Sequence, residues 1–65
     1  MSEQEGQPQA FEGVGRTLHE ALDDAATNAV AGGVELESIL DVAQHSVRIS
    51  NPRVTEHIVV LITKP

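Results

Sequence analysis

The chain has 65 residues and no cysteine, and its 4 basic and 10 acidic side chains give a formal net charge of -6. A chain this short buries only about 60% of its unfolded surface; with disulfides and thiolate metal sites excluded, assembly is the favoured remedy. The acidic balance repels phosphate backbones and argues against nucleic acid as a partner. No apolar run approaches the ~20 residues of a membrane helix, and the first residues lack the basic and apolar regions of a secretion signal; the expectation is a cytoplasmic protein with no membrane partner.

Residues 1–8 are polar, with Gly6 and Pro8 as breakers, and read as a flexible tail before a single domain spanning 9–65. Gln9 to Arg16 can form a short strand. It would set Phe11, Gly13 and Gly15 on one face and Ala10, Glu12, Val14 and Arg16 on the other. Two glycines in a strand either weaken it or mark a close backbone approach.

Thr17-Leu18-His19-Glu20 fits a capping box. The Thr17 hydroxyl is expected to accept from the Glu20 N–H, and the Glu20 carboxylate to reach back to the Thr17 N–H. Leu18, Ala21, Leu22, Ala25, Ala26, Ala29 and Val30 then recur at helical spacing as one apolar stripe. Glu20, Asp23, Asp24, Thr27 and Asn28 form the polar side, and Gly32-Gly33 ends the helix. A stripe built mostly of alanine lets the helix lie close on a sheet.

From Glu37 onward the chain reads as a hairpin that turns at Ser50-Asn51-Pro52-Arg53. The unbroken run Ile58-Val59-Val60-Leu61-Ile62 needs cover on both sheet faces, because successive strand side chains alternate. Pairing Ile49 with Val54 and continuing without interruption sets Val47 against Glu56, His45 against Ile58, Ala43 against Val60 and Asp41 against Ile62. That register gives Ile58, Val60 and Ile62 to the helix. It leaves Leu40, Val42, Val59 and Leu61 as the contact with another subunit, and a slip of one residue would exchange the faces. The fold class is therefore α+β: a βαββ chain whose three-stranded antiparallel sheet packs on one helix, in a homo-oligomer.

Candidate chemistry is sparse. In this register His45 and His57 point to opposite faces, so with Asp41 and Glu56 they make no metal site within one chain. Ser38, Ser46 and Ser50 have no partner base. Gly13-Val14-Gly15 lacks the third glycine of a dinucleotide loop and reads as strand-to-helix geometry. The expectation is a non-enzymatic protein with no catalytic residue and no metal ligand.

Glu12-Gly13-Val14-Gly15-Arg16-Thr17 resembles the end of the first strand in dodecins, where an acidic residue, a Val-Gly pair and a Ser or Thr cap precede the single helix. The helix segment Glu20-Ala21-Leu22-Asp23-Asp24-Ala25 is also similar, as are Leu40-Asp41-Val42 and Val47-Arg48-Ile49 in the hairpin. The likeness spans about residues 9–64 and rests on the order and lengths of these segments together.

Dodecins are βαββ proteins that assemble into hollow dodecamers and bind flavins between subunits. The resemblance implies self-association, with a dodecamer as the family form, and FMN or riboflavin as the family ligand. It puts Ile39 at the place of the family's flavin-stacking tryptophan. Thr55 stands near the place of its flavin-holding glutamine, and Gln44 is the one glutamine in the hairpin. None of the three is aromatic. Loss of the stacking surface removes on the order of 1 kcal/mol beyond area burial, so the shell is expected with its flavin site absent or rebuilt. The alternative is a small interaction or structural protein that uses its apolar sheet face to bind another protein.

Overall fold

A computed structural model describes residues 8–64. The tail expected at 1–8 lies, apart from Pro8, outside the described residues. The order is β1 (Ala10–Gly15), α1 (Leu18–Ala31), β2 (Asp41–Ser50) and β3 (Arg53–Ile62). Both sheet pairings are antiparallel, and β3 lies in the middle of the order β1-β3-β2. This is the βαββ, α+β architecture that the pattern predicts.

The capping box forms one residue out of place. Thr17 Oγ1 accepts from the Glu20 N–H at 3.1 Å, as expected, but the Glu20 carboxylate accepts from the Arg16 N–H at 3.0 Å rather than from Thr17. At the other end Gly33 has φ +107°, a conformation open to glycine because it has no Cβ. Its N–H bonds to Val30 O at 3.0 Å and the Val34 N–H bonds to Ala29 O at 3.0 Å, which together close the last turn in a Schellman motif.

The helix lies over β1 and β3 and makes no comparable contact with β2. Ala21, Ala25 and Ala29 are buried, whereas Leu18 and Val30, on the neighbouring ridge of the helix, remain 40% and 47% exposed. Under the alanine line sit Val59 and Leu61, with Leu22 and Leu40 packed against them. Val59 is fully buried. The face expected to contact neighbours is thus the face that packs on the helix, and Ile58, Val60 and Ile62 occupy the opposite, open face.

Two bulges also shift β2 against β3. Ile49 pairs with Val54 and Asp41 with Ile62, as the uninterrupted register requires at both ends. Between them the pairing runs Arg48 with Glu56, Val47 with His57, His45 with Val59 and Gln44 with Val60. Thr55 is the extra residue on β3 and Ala43 the extra residue on β2, so the two shifts cancel across the hairpin. Each bulge moves the intervening residues by one, and a one-residue shift moves every side chain to the other face.

The turn is a two-residue loop between Ser50 and Arg53. Asn51 takes φ 57°, a left-handed value that asparagine tolerates, and Pro52 holds its own φ negative.

Candidate functional site

Cross-strand partners share a sheet face. The open face therefore carries Val14 beside Ile58 and Ser46, Glu12 beside Val60 and Gln44, and Ala10 beside Ile62 and Asp41. Ile58, Val60 and Ile62 are half-buried there, and Val14 is 44% exposed. An apolar row along the central strand is flanked by polar residues, and no element of the described chain lies over it.

The two sheet edges differ. The Val14 N–H donates to Asp24 Oδ2 at 2.9 Å, and Asn28 Nδ2 donates to Glu12 O at 2.7 Å. Two helix side chains thus occupy backbone groups along the outer edge of β1. Asp24 and Asn28, expected on a merely polar helix side, tie the helix to this strand. No such side-chain cover meets the outer edge of β2 among the described residues.

The positions carried over from the resemblance do not converge within one chain. Ile39 precedes β2 and is 76% exposed. Gln44 lies on the open face, its Nε2 donating to Ser46 Oγ at 3.1 Å. Thr55 is the bulge residue near the turn. Consecutive β residues rise about 3.3 Å, so Ile39 and the level of Thr55 stand roughly 30 Å apart along the hairpin.

The four residues expected at a subunit contact also separate. Val59 and Leu61 form the core, and Leu40 packs on it. Val42 is 54% exposed on the helix side of β2, opposite Leu61. Val59 and Leu61 are withdrawn as contact residues, because they are already covered by α1.

His45 and His57 meet. His45 Nε2 lies 3.0 Å from His57 Nδ1, and the ring centroids are 5.2 Å apart with the planes 21° from parallel. The uninterrupted register set these rings on opposite faces; the Thr55 bulge brings them to one face, diagonal to each other across β2 and β3. Both are on the helix side of the sheet, beyond the reach of the helix itself. Among the described residues no group of three or more His, Asp or Glu side chains gathers as a metal cluster.

Two of the surface concavities adjoin these residues. One of about 320 Å³ runs from the end of α1 to the start of β2, with Val30, Val34, Leu36, Leu40 and Leu61 on its walls. It is apolar and near the lower end of the size range for small-molecule sites. The other, about 340 Å³, is lined by Val14, Gly15, Arg16, Arg48, Thr55 and Glu56. There Arg48 Nε and Glu56 Oε1 form an ion pair at 3.0 Å.

No family model, curated protein or solved structure matches the chain. Among the described residues no helix is long and apolar enough to cross a membrane.

Proposed function

We propose that the chain is a cytoplasmic, non-enzymatic, dodecin-like subunit that works as a homo-oligomer and holds a small molecule between its copies. The observation that carries this reading is the imbalance between core and surface. Among the described residues five apolar ones are buried, three of them alanines, while nine large apolar side chains are 40% exposed or more. Four of the nine, Val42, Val47, Ile49 and Val54, lie on the β2–β3 hairpin, and exposed apolar surface that gathers on one element marks a contact.

The reading places copies against the open face, on the row Ile58, Val60 and Ile62 with Val14 beside it, and next to the uncovered edge of β2. Leu36 and Ile39, 78% and 76% exposed, would project into the same assembly from the segment before β2. The apolar concavity at Val30, Leu36 and Leu40 would then be closed by a neighbour, giving a ligand a site that one chain leaves open.

Native mass spectrometry of gently purified protein tests both parts. The expected result is a single closed oligomer. A monomer at micromolar concentration would discard the assembly and favour the apolar face as a docking surface for a different protein. The ligand is tested by adding riboflavin or FMN and following the emission. Quenching on addition of protein supports a flavin, and unchanged emission with an intact oligomer removes flavin while leaving the assembly standing.

A further inference from the structure

The paired rings of His45 and His57 are free of the assembly reading, because they lie on the sheet face opposite Ile58 and Val60. In-plane contact of two imidazoles through their nitrogens requires a centroid separation near the sum of the N···N distance and two ring radii. The observed 3.0 Å and 5.2 Å agree with that arrangement. The rings therefore lie edge to edge, and one of the two facing nitrogens donates to the other, the roles being set by the tautomer. The two nitrogens that could ligate a metal ion are thus already adjacent.

We propose that His45 and His57 form a two-histidine site for a divalent ion of the copper or nickel class, with water filling the remaining positions. The ion takes the place of the proton between the rings, which moves through solvent to the bare outer nitrogen of the ring that donated it. The ion binds Nε2 of His45 and Nδ1 of His57, each neutral ring then keeps one proton on its outer nitrogen, and the exchange needs no net proton release.

Metal–imidazole bonds of about 2.05 Å with the nitrogens 3.0 Å apart give an N–metal–N angle of about 95°. That is close to the 90° of square-planar or tetragonal coordination, the preference of Cu²⁺ and Ni²⁺. A tetrahedral ion would need the nitrogens to part to roughly 3.3 Å. To direct both lone pairs at one ion the rings turn about χ2, a soft torsion for histidine. His45 is exposed and His57 half-buried, so nothing packed tightly resists the turn. The Cα positions are held by the β2–β3 ladder, which pairs Val47 with His57 and His45 with Val59. The net charge of -6 draws cations toward the chain.

The full chain titrated with CuSO₄ in a non-coordinating buffer tests the site by calorimetry and electron paramagnetic resonance. The expected result is one Cu²⁺ per chain with a tetragonal spectrum carrying two imidazole nitrogens. His45→Ala and His57→Ala should each weaken binding by about tenfold or more, since the second imidazole of a pair binds intramolecularly. His19→Ala should leave it unchanged, as His19 stands alone on α1 beside Asp23. Far-UV circular dichroism checks that each variant is folded. The proposal falls if the His45→Ala/His57→Ala double variant binds Cu²⁺ as tightly as the native chain, or if the spectrum shows a single imidazole.

Discussion

An ideal Cβ on Gly13 would lie 2.2 Å from the Ala25 nitrogen and 2.4 Å from the Ala21 oxygen, both backbone atoms of α1. Only glycine lets the strand and helix approach this closely, and the buried alanines on the helix complete the approach from the other side. Of the two meanings that the glycines of β1 could have, close contact is the one realised. Gly13→Ala should push α1 away from Val59 and cost roughly 1–3 kcal/mol, the usual scale of overpacking in a filled core, read as a lowered denaturant midpoint. The same reasoning explains why the residue pair most open to chemistry escaped the sequence. His45 and His57 are 12 positions apart, and whether they meet depends on Thr55 being an extra residue in β3. A bulge next to a Thr has no signal in the apolar pattern, since Thr is at home in strands.

At the level of elements, α1 and β3 show how periodicity can be right about an element and wrong about its faces. The helix stripe, the capping residues and the terminal glycines are local features, set by side chains three or four positions apart. For β3, the alternation within Ile58–Ile62 is symmetric: odd and even positions are equally apolar, so composition cannot tell which row goes under the helix. The two rows now predict opposite outcomes. Val59→Asp puts an unpaired charge under Ala21 and Ala25 and should abolish folding, seen as loss of the cooperative transition by circular dichroism. Val60→Asp leaves the core intact and should preserve secondary structure while lowering the mass found in native spectra. If Val60→Asp still assembled like the native protein, the open face would not be the contact between copies.

Across the whole molecule, the helix is too narrow for the sheet. It covers β1 and β3, and the β2–β3 hairpin runs on past the end of β1, where Gly15 pairs with His57. There Val47, Ile49 and Val54 are 42%, 65% and 45% exposed. A protein whose apolar surface is completed by its neighbours unfolds with dissociation, so its melting temperature should rise with protein concentration. A melting temperature constant over a hundredfold dilution would mean that each chain is stable alone. The sequence by itself determined the βαββ order, the caps of α1, the place of the hairpin turn and the surplus of apolar residues, because each of these is written in neighbours along the chain. Only the tertiary structure decided which row of β3 is core, that β1 has its edge tied down by Asp24 and Asn28, and that His45 meets His57. The first two depend on where α1 packs against β1 and β3, and the third on a bulge that shifts the registry within the hairpin.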